Sequence, residues 1–176
     1  MIRVLVFLVA GGVAAGQNLQ VLQDFQNRVA QYQKLHDKAR SGLSKLKPTP
    51  SPEHIDKHER QLAHRIREAR EHVSQGNIFT PEIAAEFKHF IAETMKGPEA
   101  VTIKQSLAGG EPVNLKELKV NQSYPAGVPF QTTPPSLLMN LPKLPKGYQY
   151  RVVNKSLVLL DEEANLIVDF ITNAIP

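Results

Sequence analysis

The sequence predicts an α+β fold, in which an N-terminal helical region leads through a proline-rich stretch to a C-terminal three-stranded antiparallel meander. Three observations support this prediction. Apolar residues recur every three or four positions through residues 17–97, the spacing of helices that bury one side. Eight of the 13 prolines fall between residues 97 and 147. Residues 148–176 alternate short apolar runs with turn residues, as the strands of a meander do.

Residues 1–16 have the layout of a cleaved signal peptide. Arg3 supplies a positive charge, a short apolar run follows, and small residues close the segment, so cleavage is expected after Ala15 or Gly16. The apolar run is much shorter than the roughly 20 residues of a transmembrane helix, so no membrane anchor is expected after cleavage. The alternative is a buried N-terminal strand. We therefore expect a periplasmic or secreted protein.

Composition excludes several functions. The chain has no cysteine, which rules out disulfides, thiolate metal sites, cysteine nucleophiles and a lipid-anchored cysteine. The net charge is +4, but positive and negative residues are interspersed and aromatic residues are few, so no nucleic-acid partner is expected. The positive charge allows weak contact with anionic polymers or lipid headgroups of the cell envelope.

The first predicted helix carries an apolar seam with alternating spacings of three and four, as in a helix that packs on another helix. It is expected to end before Pro48. From Leu22 to Leu46 the seam spans about 36 Å at 1.5 Å per residue, longer than one short helix covers. This surplus predicts self-association or a helical protein partner. The residues expected at that contact are Leu22, Phe25, Val29, Tyr32, His36 and Leu43.

Two further helices are predicted from their capping residues. Ser51 is the expected N-cap of the second helix, whose apolar stripe extends to Val73 with Gly76 as C-cap. Since the connection is short and each helix has a single apolar stripe, the first two helices are expected to form an antiparallel hairpin. The third helix is expected to begin after Thr80 and to end at Gly97.

Residues 98–147 are predicted to form an extended, proline-rich linker. Within it, residues 101–106 alternate like a strand, and residues 115–120 suggest a second one. The third helix, or the SLLMNL stretch at 136–141, is expected to cover the apolar face of the C-terminal sheet.

The C-terminal region, 148–176, is predicted to be a β meander. Asn154 and Lys155 fit a two-residue hairpin loop, since asparagine tolerates positive φ. The strands are expected at 148–153, 156–161 and 165–171.

The segment LPKLPKGYQYRVVNKSLVLLDEEANLIVDFI, residues 141–171, carries a resemblance to known proteins. It resembles the C-terminal module of small bacterial periplasmic proteins, a group related to the periplasmic nickel/cobalt-homeostasis family. The chain as a whole resembles uncharacterised exported bacterial proteins. The resemblance implies a periplasmic accessory module rather than a catalyst, and it carries over no metal ligand, because no matching residue is His or Cys. The matching residues are Pro145, Gly147, Tyr148, Tyr150, Val152, Val153, Val158, Asp161, Ile167, Val168 and Ile171.

Four of the six histidines lie in the second predicted helix, between residues 54 and 72. Only His54 and His58, at i and i+4, are spaced to bind one transition-metal ion together. Their sequence, HIDKH, lacks the glutamate of the metalloprotease motif H-E-x-x-H, so a protease is not expected. The favoured alternative is a solvated helix face with i,i+4 pairs such as His64–Glu68.

His36 differs from these histidines because it lies on the apolar seam. Two interpretations remain open. A neutral histidine satisfied at the helix interface would help to set the register, whereas a pH-sensitive contact would follow from the desolvation cost of protonating it there. The acidic cluster Asp161, Glu162 and Glu163 is predicted to be solvated in an exposed turn.

Catalytic motifs are missing from the sequence. It has no Gly-x-Ser-x-Gly elbow, no phosphate-binding glycine loop and no Ser, His and Asp in motif spacing, so neither an enzyme nor a cofactor is expected. The favoured function is an exported, non-catalytic accessory or protein-interaction module that uses the helical seam. The alternative is a periplasmic protein that handles nickel, cobalt, zinc or copper. An enzyme acting on envelope polymers is the third possibility.

Overall fold

The computed structural model describes residues 12–44, 51–109, 117–124 and 133–176. These residues form five helices followed by a three-stranded antiparallel sheet, which confirms the predicted α+β class. Residues 1–11 of the predicted signal peptide and Leu46 of the predicted seam lie outside the described residues. The elements are α1 (Gly12–Ser41), α2 (Pro52–Ala69), α3 (Pro81–Thr94), α4 (Ala100–Ala108), α5 (Pro135–Met139), β1 (Tyr148–Val153), β2 (Ser156–Asp161) and β3 (Leu166–Ile171).

Helices α1 and α2 form the predicted hairpin. Nη1 of Arg65 donates to the carbonyl oxygen of Ala39 at 3.4 Å, and Cζ of Arg70, just after α2, lies 4.9 Å from the centre of the Tyr32 ring. Because later residues of the α2 region meet earlier residues of α1, the two helices run antiparallel. None of the helices in the described part of the chain is long and apolar enough to span a membrane.

A buried carboxylate organises the segment between α2 and α3. Asp169 of β3 accepts the backbone N–H groups of Gly76, Ile78 and Phe79 at 3.1, 2.7 and 2.9 Å. A buried carboxylate needs such donors to offset its loss of solvation. The chain therefore leaves α2 at Ala69, well before the predicted end at Gly76, and reaches the sheet before α3 begins.

Helix α3 begins where its capping residues predict. Oγ1 of Thr80 accepts the N–H of Ile83 at 3.4 Å, the contact expected of an N-cap. The helix ends at Thr94, earlier than the predicted Gly97. It packs against α1 and places Phe87 in the core between the helices and the sheet.

The prediction of a strand at residues 101–106 is wrong, because these residues lie in α4. Ile103 is buried near the centre of this helix, whereas Val101 is exposed. An apolar alternation over six residues does not distinguish such a helix from a strand. The second linker strand is also wrong where it is described, since residues 117–120 form none. Instead the chain pairs slightly later, through an antiparallel bridge between Ser123 and Leu166.

The sheet has the strand order β1-β2-β3, and its first turn is the predicted hairpin. Val153 pairs with Ser156, which leaves Asn154 and Lys155 as a two-residue loop. Asn154 has a φ of 55°, the conformation for which asparagine is suited in such loops.

Both faces of the sheet are buried. Alternate side chains point in opposite directions, so Leu157 and Leu159 join the helical core, while Val158 and Leu160 join a second apolar cluster with Tyr124. The prediction that the third helix or the 136–141 stretch covers one apolar face of the sheet is confirmed, and both segments contribute. Their residues in the helical core include Phe87, Ile91, Leu137 and Leu141.

Candidate functional site: a buried histidine between two carboxylates

One face of α1 meets the turn between β2 and β3. Tyr32, His36 and Arg40 recur at intervals of four residues, so they lie on one side of the helix. Asp161 is the last residue of β2, and Glu163 follows in the turn. We refer to these five residues together with His58 of α2 as the His36 cluster.

The buried part of the His36 cluster centres on one carboxylate oxygen. Oη of Tyr32 donates to Oδ2 of Asp161 at 2.7 Å, and Nδ1 of His36 lies 2.7 Å from the same atom. The other oxygen of Asp161 accepts the backbone N–H of Ala164 at 3.1 Å and so holds the turn. Asp161 is 0% exposed, and each oxygen of its carboxylate has a donor.

Both ring nitrogens of His36 face carboxylates. Nε2 lies 3.1 Å from Oε2 of Glu163, opposite the contact of Nδ1 with Asp161. An ionised carboxylate can only accept, so both nitrogens donate when the ring is the imidazolium. Burial by itself lowers the pKa of His36, but the hydrogen bonds and negative charges of Asp161 and Glu163 outweigh it, and the pKa is raised above the ordinary value of 6.5.

Glu163 forms the outer part of the cluster. Its carboxylate also accepts from Nη1 of Arg40 at 3.4 Å, and Nε2 of His58 lies 3.4 Å from its other oxygen. The Glu163 side chain is 35% exposed and borders an open cavity of about 450 Å³. The other residues that line this cavity are Asp37, Arg40, Ser41, Leu43, Ser44 and His58.

Aromatic rings enclose the cluster on the side of the sheet. The ring of Tyr148 lies 6.0 Å from that of His36 and 5.7 Å from that of Tyr32, both edge to face. Burial, followed by the charge of Asp161, raises the pKa of Tyr32 and of Tyr148, so both phenols remain protonated. Arg70 lies over Tyr32 and donates from Nη2 to the carbonyl oxygen of Val168 at 3.0 Å.

The two histidines proposed as metal ligands differ in their surroundings. His54 is exposed, whereas His58 is partly buried and directed at Glu163. In the described ranges, no group of three or more His, Cys, Asp or Glu side chains is arranged to hold a metal ion. The solvated pair His64–Glu68 is confirmed, with Nε2 of His64 3.5 Å from a carboxylate oxygen.

The predicted interaction seam is largely buried inside the chain. Phe25, Val29, Tyr32 and His36 are buried. Their contacts are with the chain's own elements: the ring of Phe25, for example, lies 4.9 Å from that of Phe87 in α3. The remaining seam residues, Leu22 and Leu43, are half-buried. The seam is longer than α2 because it also packs on α3 and the sheet, so its length does not require a second molecule.

The prediction that the acidic turn is solvated is wrong for Asp161, which is fully buried, and holds for Glu162, which is exposed. Two features of the sequence could have indicated buried carboxylates. Tyr32 and His36 bring polar atoms onto an apolar stripe and therefore need buried partners. Asp169 was missed for a similar reason, since a carboxylate within the apolar strand LIVDFI also requires buried donors.

Comparison with protein-family models, curated proteins and solved structures found no match to this chain. The resemblance of residues 141–171 to a periplasmic module therefore stays a prediction.

Proposed function

We propose that the chain is an exported, non-catalytic accessory protein that associates with a second copy of itself through α5. The observation that supports this proposal is that α5 exposes Met139 to solvent next to the partly exposed Leu138. Leu138 is 37% exposed and Met139 is 84% exposed. Contiguous exposed apolar surface is a feature of interaction sites.

Two grooves flank α5 and supply room for an opposing copy. Met139 borders a groove of about 610 Å³ whose apolar lining includes Phe90 and Pro98. Leu138 borders a second groove, of about 370 Å³, whose lining includes Leu141 and Tyr150. An α5 helix packed across α5 of a second copy would place apolar side chains in both grooves.

The charges around the grooves favour a second copy over an unrelated partner. Glu93 and Glu99 line the groove beside Met139, whereas Lys143 lines the groove beside Leu138. In a twofold dimer the same surface meets itself, so the acidic side of each copy faces the basic side of the other. We therefore base the proposed self-association on the α5 surface and not on the α1 seam, which is largely buried.

The His36 cluster supports the non-catalytic part of the proposal. While His36 is the imidazolium, it donates at both nitrogens, so the charged ring has no lone pair with which to act as a general base. Tyr32 donates to Asp161, and the pKa of its hydroxyl is raised, so it is not an activated nucleophile. The cluster joins α1 to the sheet, which is a structural task.

The mass of the mature chain in solution tests the proposal. Light scattering and sedimentation at micromolar and near-millimolar concentrations are expected to show a dimer for the wild type and a monomer for Met139→Glu. Leu19→Glu is the matched control, because Leu19 is 70% exposed on α1, outside the α5 surface, and this variant is expected to dimerise. A wild-type chain that is monomeric throughout, or dimers unaffected by Met139→Glu, would contradict the proposal. Circular dichroism establishes that the variants are folded.

A further inference from the structure

We propose that Glu163 is the movable part of a pH-sensitive contact, which joins the turn after β2 to α1 and α2 when His36 is charged and opens when His36 loses its proton from Nε2. This device goes beyond self-association and does not depend on it. It rests on the placement of one buried ring between a buried and a half-exposed carboxylate, beside an open cavity.

The two carboxylates hold His36 unequally, which determines where the proton leaves. The contact of Nδ1 with Asp161 is 2.7 Å long and fully buried, whereas that of Nε2 with Glu163 is 3.1 Å long and lies at the cavity. A hydrogen bond to a charged group is stronger when it is short and shielded from water. The proton on Nδ1 is therefore retained, and Nε2 is the nitrogen that deprotonates.

Loss of that proton leaves two acceptors facing each other. The lone pair of Nε2 would then lie 3.1 Å from Oε2 of Glu163 with no hydrogen between them. Among the described residues, the two 3.4 Å contacts with Arg40 and His58 would continue to hold Glu163. The adjoining cavity of about 450 Å³ gives the carboxylate space to rotate into solvent.

Every element packed around His36 contributes charged or titratable groups. Helix α1 contributes Tyr32 and Arg40, with Asp37 3.6 Å from Arg40. Helix α2 contributes His58, and Arg70, just after α2, lies over the Tyr32 ring. Strand β1 contributes Tyr148, and β2 with its turn contributes Asp161 and Glu163. The two tyrosines stay neutral over the range in which histidine titrates, because their pKa values are raised. The change in charge that the proposal requires is therefore centred on His36.

The raised pKa of His36 determines the direction in which stability changes with pH. The pKa of His36 is higher in the folded chain than the ordinary 6.5, so protonation favours the folded state. The stabilisation is complete below about pH 6.5 and is lost as the pH rises through the folded value. A neutral histidine with no carboxylate contact would show no such loss.

Nuclear magnetic resonance of the ring nitrogens of the full mature chain tests the proposal. Titration from about pH 5 to about pH 9 is expected to show Nε2 of His36 deprotonating with a midpoint above 6.5 while Nδ1 keeps its proton. Glu163→Gln is expected to lower this midpoint by roughly one pH unit, the scale of losing a nearby negative charge. The exposed His64, which pairs with Glu68, is an internal control whose ring signals should be the same in the wild type and in Glu163→Gln.

The idea is overturned if His36 is neutral at all these pH values, if Nδ1 deprotonates first, or if Glu163→Gln leaves the midpoint unchanged. Urea unfolding at several pH values adds a second readout. His36→Gln is expected to remove the loss of stability with rising pH, and Glu163→Gln, at a half-exposed position, gives the same comparison if His36→Gln does not fold.

Discussion

Replacement of Asp169 by asparagine tests how a buried carboxylate connects α2, α3 and the sheet. Oδ2 of Asp169 accepts the N–H groups of Ile78 and Phe79, and Oδ1 accepts those of Gly76 and Phe170. Asparagine has the same shape but only one acceptor oxygen. If that oxygen takes the place of Oδ2, the new amide group faces two N–H donors and two hydrogen bonds are lost.

The size of the effect follows from these four contacts. An unsatisfied buried donor costs about 1–3 kcal/mol, and the two contacts that remain lose their charge. Against this, asparagine is easier to bury than a carboxylate, and Gly76 is near enough to solvent for water to offset part of its loss. We expect the free energy of unfolding to fall by about 3 kcal/mol, a large share of the 5–15 kcal/mol typical of a domain.

Equilibrium unfolding in urea, followed by circular dichroism at neutral pH, measures this loss. Asp56→Asn is the matched control, because Asp56 is an exposed carboxylate on α2, and a change within about 0.5 kcal/mol is expected there. A loss of under about 0.5 kcal/mol for Asp169→Asn would refute the reasoning that Asp169 organises this segment. An equal loss in both variants would show that a general charge effect, and not the backbone contacts, is responsible.

Two further predictions concern the histidines and export. Calorimetric titration of the metal-free chain with nickel, cobalt, zinc or copper should show no micromolar binding at His54 and His58, because His58 is directed at Glu163. Micromolar binding that disappears in the double alanine variant of these two histidines would instead favour a metal-handling protein. Expression with residues 1–16 present should yield an exported chain whose mass corresponds to cleavage after Ala15 or Gly16, and an uncleaved chain in the cytoplasm would contradict export.

Local signals were sufficient for most of the secondary structure. Thr80 begins α3 as predicted, and Asn154 forms the two-residue hairpin loop, because capping and turn preferences depend on a few neighbouring residues. The error at residues 101–106 arose where the local signal is weakest, in a short segment whose apolar alternation fits either a strand or a helix with one buried residue.

The candidate site could be predicted only in part. The position of His36 on an apolar stripe indicated that the ring would be buried, and a pH-sensitive contact was one of the two interpretations left open. The partners of His36 could not be predicted from local sequence patterns, because Asp161 lies 125 residues away in the sequence. A row of acidic residues after a strand is ordinarily solvated, and nothing local distinguishes Asp161 from Glu162.

By itself the sequence determined the first three helices, the hairpin of α1 and α2 and the C-terminal meander, since these depend on periodicity, caps and turns. Only the tertiary structure decided what the long seam of α1 contacts. The seam packs on α2, α3 and the sheet of its own chain, so its length does not require a second molecule. The physical reason is that an apolar stripe specifies burial, but the element that buries it depends on how distant segments fold together.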